Sequence, residues 1–303
     1  FPTFIVKIKN PVVAILNPFF KYPTSNSNKV IIKTKDGINL VGVHNKAKIK
    51  RKGAVMLLHG IRAGKEHFKE VSEYLNINGY DTFAFDSRGH GESGGEYCTF
   101  GDREKEDVST ILDYIVSSTG EQNISVWGQS LGGAIGIQAM ASDKRLKSGI
   151  IESTFSDFRT IVHDYAKDFA GFEIQFLTDY LIDRAGEIAG FNPDNISPLQ
   201  DCKKIDQPML IVHGNADEKI DESYGKRNFK NLSSVQKEFI ENYSYFFKKP
   251  FLDSLEKKYS FTAPRKVGFN TVQSIQAMLT EKAKVFIVLG LSPEKLVRTN
   301  QTN

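Results

Sequence analysis

The chain has 303 residues, of which 40% are hydrophobic and 25% are charged. This composition excludes a largely disordered protein and leaves enough apolar side chains for one large or two ordinary domains. Forty basic against thirty-six acidic residues give a net charge of +4, and Lys and Arg form no long run, so no nucleic-acid partner is expected.

The cysteine content is low. Cys98 and Cys202 are the two cysteines, too few for a disulfide framework and without partners at metal-ligand spacing. We therefore expect a reduced compartment, the cytoplasm, and neither a metal nor a cofactor. The first residue is Phe1 rather than Met, so what precedes it is left open.

The start of the chain raises a membrane question. Residues 4–20 are apolar, but four residues interrupt them well short of a span: Lys7, Lys9, Pro11 and Pro18. We expect no transmembrane segment. Residues 1–27 are interpreted as an N-terminal extension that packs against the body, with attachment to a membrane surface as the alternative.

Strand patterns begin at residue 30. Residues 30–43 contain two alternating runs around Asp36-Gly37, which predicts an antiparallel hairpin with a type I′ turn. Short continuous apolar runs follow, typical of strands buried on both faces of a parallel sheet. These runs are 54–60, 81–89, 124–130, 148–154 and 208–214.

Helical patterns alternate with these runs, at 68–79, 104–118 and 132–142. The alternation predicts a doubly wound, mostly parallel α/β sheet whose chemistry lies at the carboxyl ends of the strands. Residues 155–200 are helical in pattern and too long for a simple crossover. We expect them to form a cap inserted between two strands.

A G-x-S-x-G motif, Gly128 to Gly132, stands between a predicted strand and a predicted helix. The glycines permit a tight, strained turn that presents the Ser130 hydroxyl above the sheet edge, which makes Ser130 the candidate nucleophile. An ordinary Gly-Ser loop is the alternative interpretation.

His59-Gly60 ends a predicted strand and opens a loop. The backbone N–H near Ile61, together with that of Leu131, would suit an oxyanion hole because backbone donors are fixed before charge develops. His59 is interpreted as an orienting group and not as a base.

Two further loops follow strands. In residues 86–95 we expect Asp86 and Arg88 to fix the loop geometry and His90 to be a surface or loop-bonding histidine. Downstream, Asp217 lies three residues past a strand-ending glycine, in chain order for the acid that orients a histidine. Glu218 is the fallback, and a solvated turn aspartate is the plain alternative.

Together these residues resemble α/β-hydrolases of the esterase, lysophospholipase and serine-aminopeptidase-like group, over residues 28–242. The motifs that carry the resemblance are HG, D-x-RG-x-G-x-S, G-x-S-x-G and HG-x-x-D. The resemblance implies an acyl-enzyme mechanism with Ser130 as nucleophile, Asp217 as triad acid, and Ile61 and Leu131 as oxyanion donors.

The resemblance fails at the catalytic base. The family pattern places a strand after the acid, which residues 236–243 resemble, and then a histidine loop, but no histidine follows Asp217. His213 and His163 are considered as substitutes and neither is favoured, because the first should lie at the wrong end of its motif and the second lies in the cap. Without a base the serine is a poor nucleophile, so impaired activity is expected.

The tail, residues 243–303, is atypical. It carries ten Lys and Arg against four Asp and Glu, and residues 250–290 resemble a fragment of a molybdopterin-dependent, formate-dehydrogenase-like oxidoreductase. The fragment stops short of a pterin-contacting turn. We interpret the tail as a candidate fusion or frameshift product.

The sequence thus predicts a serine hydrolase scaffold acting on small carboxylic esters or amides. A non-catalytic binding protein on the same scaffold is the alternative, and a molybdopterin oxidoreductase is rejected. Neither the substrate's identity nor the oligomeric state follows from the sequence.

Overall fold

A computed structural model describes residues 2–8, 27–171 and 174–242. In this part of the chain eight strands form one sheet in the order β1-β2-β4-β3-β5-β6-β7-β8. The strands are β1 Ser27–Lys33, β2 Asn39–Asn45, β3 Gly53–Leu58, β4 Tyr80–Phe85, β5 Ile124–Gln129, β6 Leu146–Glu152, β7 Met209–Gly214 and β8 Lys237–Asn242.

The central strands are parallel, as their apolar runs predict. Six strands pair with one another in parallel: β4, β3, β5, β6, β7 and β8. Strand β2 is antiparallel to both of its neighbours, β1 and β4. All six residues of β3 and of β4 are buried, which explains why these strands lack an alternating pattern. The predicted mostly parallel sheet with an N-terminal antiparallel hairpin is confirmed.

The predicted type I′ turn of that hairpin is wrong. A type I′ turn needs positive φ at both central residues, but in this connection only Gly37 has one, at 87°. Gly37 donates to the Thr34 carbonyl at 3.0 Å, and Ile38 donates to Thr34 Oγ1 at 2.9 Å. The Asp36 carboxylate is held by Arg88 at 2.9 Å, a contact that a local pattern cannot reveal.

Helices cover both faces of the sheet, and the three predicted ones are confirmed as α2, α3 and α4. The helices are α1 Pro2–Val6, α2 Lys69–Ile77, α3 Glu104–Thr119, α4 Leu131–Ser142, α5 Phe158–Ala170, α6 Gln175–Ala189, α7 Pro198–Cys202 and α8 Glu222–Asn231. Short 3-10 turns lie at Lys65–Phe68 and Pro193–Asn195. Helix α4 is apolar on all sides because it is buried nearly throughout.

The core is divided by the sheet into two clusters. The larger cluster joins one face of the strands to α3, α4, α8 and the helices that follow β6. The smaller joins the other face to α2, with Trp127, Phe68 and Leu75 among its members. Burial on both faces is what a layered α/β domain requires.

Residues 155–200 form a helical insertion between β6 and β7, which contains α5, α6 and α7. Helix α8 attaches this insertion to the core. Asn228 donates to the Phe155 carbonyl at 3.1 Å, and the Tyr224 hydroxyl donates to Asp164 on α5. The insertion is therefore helical as predicted, and its role as a cap stays a prediction.

The described beginning of the chain packs against the body. Val6 and Ile8 are buried, and Cys98 donates its N–H to the Val6 carbonyl at 2.9 Å. Residues 9–26 lie outside the described residues, as does most of the predicted extension. In the described ranges, no helix is both long enough and apolar enough to span a bilayer.

Strand β8 confirms the strand predicted at 236–243, since it pairs in parallel with β7 from Lys237 to Asn242. The tail from residue 243 onward lies outside the described residues. Its interpretation as a fusion or frameshift product, and the resemblance of residues 250–290 to a molybdopterin enzyme, remain predictions that the structure does not address.

Candidate active site

Ser130 lies in a strained turn between β5 and α4. Its φ of 53° and ψ of −117° are unusual for a residue with a side chain. Gly128 and Gly132 are both required because backbone passes close to them. A Cβ added to Gly128 would lie 2.2 Å from the Gly132 carbonyl oxygen, and a Cβ added to Gly132 would lie 2.0 Å from the Leu58 carbonyl oxygen. This is the geometry of a nucleophile elbow.

Hydrogen bonds to β6 and to the residues just after it hold the elbow. Ser130 donates its N–H to the Glu152 carbonyl at 2.9 Å, and Thr154 Oγ1 donates to the Ser130 carbonyl at 2.7 Å. The Ser130 side chain is half-buried, and its hydroxyl makes no hydrogen bond with any residue that the structure describes. Hydrogen bonds therefore fix the turn, whereas no described side chain bonds the Ser130 hydroxyl as a base would.

The loop after β3 lies directly beside the serine. A Cβ added at Gly60 would stand 3.3 Å from Ser130 Cβ and 3.9 Å from its Oγ, so only glycine admits this approach without a shift. Ile61 follows Gly60. Leu131 begins α4, where the first N–H groups have no partner within the helix.

His59 bonds the backbone through both ring nitrogens, and its role as an orienting group stays a prediction. Its Nδ1–H donates to the Gly60 carbonyl at 2.8 Å, and its Nε2 accepts the Ser87 N–H at 3.0 Å, so both ring nitrogens are engaged. Complete burial, together with the neighbouring His90, lowers the pKa of His59 to about 4. The neutral ring ties the ends of β3 and β4 together and orients Gly60.

The two loops at this edge are anchored on Asp86, which is fully buried. Its carboxylate accepts the N–H and the Nζ of Lys65, both at 2.8 Å, and the N–H of Glu92 at 2.8 Å. One side chain therefore joins the loop after β3 to the loop after β4. This is the loop-fixing role that the sequence predicts.

Arg88 and His90 complete the second loop. Arg88 binds Asp107 through two nitrogens at 2.7 and 2.6 Å, a buried bidentate pair. His90 is 2% exposed and its Nδ1 bonds the Arg88 carbonyl at 3.0 Å. The loop-bonding interpretation of His90 is confirmed, and the surface one is wrong.

Asp217 lies in the turn after β7, at the same edge of the sheet as Ser130. It is half-buried, and its Oδ1 accepts the N–H groups of Lys219 at 3.0 Å and Ile220 at 3.1 Å. Oδ2 accepts no hydrogen bond from a described residue. Glu218, the fallback acid, is exposed.

All six histidines fall within the described residues, and none bonds Ser130. His213 is buried, its Nε2–H donates to the Ile220 carbonyl at 2.8 Å, and burial lowers its pKa. His163 pairs with Asp179 on α6 at 2.9 Å. His44 pairs with Asp81 at 3.0 Å, far from this edge in the sheet. Neither His213 nor His163, the two substitutes considered from the sequence, bonds Ser130 in the described residues.

Sequence reasoning passed over the buried Glu152 beside the elbow. Glu152 ends β6, and its burial, together with the nearby Asp217 carboxylate, raises its pKa to about 7. One signal was available, since Glu152 is the acidic residue that closes an apolar strand run.

No group of His, Cys, Asp or Glu side chains suited to a metal ion occurs among residues 2–8, 27–171 and 174–242. The sheet order and the strained turn at Ser130 are those of the α/β-hydrolase fold.

Comparisons with known proteins agree with this fold. Residues 49–183 match the family model described as Hydrolase_4, serine aminopeptidase, S33. A solved esterase, Pf2001 from Pyrococcus furiosus, superimposes with a TM-score of 0.60 at 22% identity, covering 75% of this chain and 86% of that one.

Two curated relatives are similar in sequence. Lysophosphatidylserine lipase ABHD12 of Xenopus tropicalis is 28% identical over 190 residues, which are 57% of this chain and 45% of the relative. An uncharacterized protein of Bacillus subtilis, YqkD, is 24% identical over 194 residues, 57% of this chain and 58% of the relative. The chain thus spans about half the length of the curated relatives it matches.

These similarities support the α/β-hydrolase superfamily for this chain. They give no support to the molybdopterin oxidoreductase resemblance of the tail.

Proposed function

We propose that this chain is a serine hydrolase scaffold that acts on small carboxylic esters or amides through an acyl-enzyme. Ser130 is the nucleophile, Asp217 is the acid that orients a base, and the N–H groups of Ile61 and Leu131 form the oxyanion hole. His59, Gly60, Gly128 and Gly132 support the loops. The core spans residues 28–242, and the insertion at 155–200 acts as a cap.

The observation that carries the proposal is the strained elbow at Ser130. A positive φ at a non-glycine residue is stored strain, which persists where the surrounding structure over-determines it and clusters at functional sites. The close approach of Gly60 to Ser130 supports the proposed oxyanion hole, because Ile61 directly follows Gly60 in this loop.

In the proposed reaction, Ser130 Oγ attacks the carbonyl carbon while its proton passes to a base. The tetrahedral oxyanion is held by the two backbone N–H groups, and the leaving alcohol or amine departs with a proton to give the acyl-enzyme. None of the six histidines bonds Ser130 in the described residues, so proton removal is the weak step. We therefore propose slow turnover for the chain as it stands.

One observation favours a second candidate function. The Ser130 hydroxyl bonds no described residue, and no histidine follows Asp217. A non-catalytic binding protein that retains the hydrolase pocket would show both features. The two candidates share the fold and the loops and differ only in turnover.

The substrate class rests on the relatives' printed activities. ABHD12 is a lysophosphatidylserine lipase and Pf2001 is an esterase, so we propose carboxylic esters before amides. Cys98 and Cys202 are both buried and free, which supports a reduced compartment such as the cytoplasm.

A fluorophosphonate probe separates the two candidates. The purified chain is compared with Ser130→Ala and with the matched control Ser117→Ala, an exposed helix serine. Labelling of the chain and the control, but not of Ser130→Ala, supports a reactive Ser130. Equal labelling of Ser130→Ala would overturn the assignment of the nucleophile.

Absence of labelling in a folded chain, even on prolonged exposure at high probe concentration, would overturn the hydrolase proposal and favour the binding protein. Where labelling occurs, hydrolysis rates rank the substrate classes. The substrates compared are p-nitrophenyl esters of increasing acyl length, aminoacyl anilides and a monoacyl glycerophospholipid.

A further inference from the structure

The loop after β3 contains a buried lysine. Lys65 begins the 3-10 turn of this loop, which also contains Ile61, and its side chain is only 5% exposed. Lysine is almost never buried in a protein unless its ammonium is paired with an opposite charge. The partners of Lys65 therefore show what holds this part of the loop.

The Lys65 ammonium lies among carboxylates. Its Nζ donates to Asp86 Oδ2 and to Glu92 Oε2, both at 2.8 Å, and lies 3.2 Å from Glu66 Oε1. Asp86 is fully buried, whereas the Glu92 side chain is half-exposed. Glu92 also accepts a hydrogen bond from Lys29 Nζ on β1 at 2.7 Å. The ammonium thus joins the loop after β3 to the loop after β4 and, through Glu92, to β1.

Backbone of both loops closes around the Asp86 carboxylate. A Cβ added to Gly64 would lie 3.0 Å from Asp86 Oδ1, and a Cβ added to Gly91 would lie 2.3 Å from Asp86 Oδ2. The contact between Lys65 and Asp86 is therefore shielded from solvent. A charged hydrogen bond is stronger in such surroundings than in water, because the local dielectric constant is lower.

The charges of this cluster are stable near neutral pH. Hydrogen bonds from Lys29 and Lys65 lower the pKa of Glu92 to about 2. Burial lowers the pKa of Lys65, but the Asp86 and Glu92 carboxylates more than offset this, and the pKa is raised above its ordinary value. Lys65 and Glu92 are therefore both charged at the pH of an ordinary assay.

The backbone beside Ile61 is strained. Arg62, the next residue, has a φ of 60°, in the region that favours glycine. Such a conformation persists only where the surrounding structure over-determines it. Lys65 follows shortly after, and it is bonded to Asp86 through its N–H and its Nζ, both at 2.8 Å. The strained segment is thus tied down close to its end.

We propose that Lys65 is a positioning residue, whose ammonium holds the loop after β3 so that the N–H of Ile61 stays beside Ser130. Lys65 touches no reacting atom and acts through the loop backbone. The part that concerns the oxyanion hole rests on the proposed function, whereas the anchoring of the loop does not.

The anchoring is tested without catalysis, by hydrogen–deuterium exchange followed by mass spectrometry. The wild-type chain is compared with Lys65→Met, which removes the ammonium, and with Lys65→Arg, which keeps a positive charge. The matched control is Lys144→Met, since Lys144 is exposed and binds Asp206 at 2.6 Å at another place on the surface.

We expect the amides of residues 61–67 to exchange several-fold faster in Lys65→Met, because the loop opens locally, while strand β5 keeps its wild-type protection. Lys65→Arg should lie between Lys65→Met and the wild-type chain, and Lys144→Met should match the wild-type chain. Unchanged exchange of residues 61–67 in Lys65→Met would overturn the proposal. Faster exchange that is equal in the loop and in β5 would also overturn it, because it would indicate a global loss of stability.

Glu92→Gln is the second variant if Lys65→Met does not fold. It removes one charge from the partners of the ammonium at a half-exposed position and leaves Asp86 in place. Exchange of residues 61–67 should then rise by a smaller factor. Exchange equal to that of the wild-type chain would overturn the proposal.

The effect on the oxyanion hole is measured by the rate of fluorophosphonate labelling at Ser130. Loss of one oxyanion donor typically slows a reaction by about a hundredfold or more, so a displaced donor should lower the maximal labelling rate of Lys65→Met by about tenfold or more. The probe concentration that gives half of the maximal rate should not change, because the donor acts on the transition state. Lys65→Arg should recover part of the rate. An unchanged maximal rate in Lys65→Met would overturn the role of Lys65 at the oxyanion hole.

These outcomes separate the anchor from the proposed function. Faster exchange of the loop in Lys65→Met, in a chain whose Ser130 resists the probe, supports the anchor and refutes the hydrolase. Wild-type exchange in Lys65→Met, in a chain whose Ser130 is labelled, supports the hydrolase and refutes the anchor.

Discussion

Replacing Gly132 by alanine is expected to destabilise the protein by forcing backbone apart at the elbow. The added Cβ would lie 2.0 Å from the Leu58 carbonyl oxygen, 2.4 Å from the Leu58 carbonyl carbon and 2.7 Å from the His59 carbonyl oxygen. All three atoms belong to the backbone of the central strand and the loop after it. They cannot move aside as a flexible side chain would.

The cost is set by that rigidity. Insertion of one methyl group into a packed core typically costs about 1 to 3 kcal/mol, and contact with strand backbone places this variant at about 3 kcal/mol or above. Since whole domains are stable by about 5 to 15 kcal/mol, such a loss is large. It should also displace Ser130, because the same helix turn carries both residues.

Gly136→Ala is the matched control on the same helix. Its Cβ would meet only side chains, Ile151 Cδ1 at 3.2 Å and Val126 Cγ2 at 3.5 Å. Alanine is favoured over glycine in a helix interior by about 1 kcal/mol, which offsets this tightness, so the net change should be within about 1 kcal/mol of zero.

Urea unfolding followed by tryptophan fluorescence measures both variants. The chain contains one tryptophan, Trp127, which is buried beside the elbow and reports directly on this region. Equal stability of Gly132→Ala and the wild-type chain would refute the reasoning, because it would mean that the backbone at Leu58 can yield.

Three further predictions concern buried polar groups. Arg88→Met should cost about 3 to 5 kcal/mol in urea unfolding, since it leaves the buried Asp107 carboxylate unpaired; a cost near zero would contradict this. The pKa of Glu152 is raised by burial from 4.5 to about 7, so the folded state holds this proton more tightly than the unfolded state. Its contribution to stability is therefore fully present below about pH 4.5 and is lost as pH rises toward 7. The difference in unfolding free energy between the wild-type chain and Glu152→Gln should change with pH over this range. A difference that does not depend on pH would refute this prediction. Tyr224→Phe should lose about 1 kcal/mol and loosen protease protection of the helical insertion, because its hydroxyl bonds Asp164, and unchanged protection would count against that attachment.

Both the sequence and the structure bear on which residue could act as the base for Ser130. The sequence establishes that no histidine follows Asp217. The structure adds where the six histidines lie, and none of them bonds Ser130 in the described residues.

Local patterns were sufficient for the strands and the elbow. A buried parallel strand needs a continuous apolar run, as in β3, and a nucleophile elbow needs glycines on both sides of the serine, so the residues themselves carry these features. Residues 236–243 were recognisable as β8 for the same reason. Such features depend on a few neighbouring side chains and backbone angles.

Other features depended on partners distant in the chain. The hairpin turn departs from type I′ where Asp36 meets Arg88, and the loops after β3 and β4 are joined by Asp86. These contacts form only when the sheet brings separate loops to one edge. Periodicity describes a residue's own neighbours along the chain, whereas hydrogen bonds across the sheet edge are decided by tertiary packing.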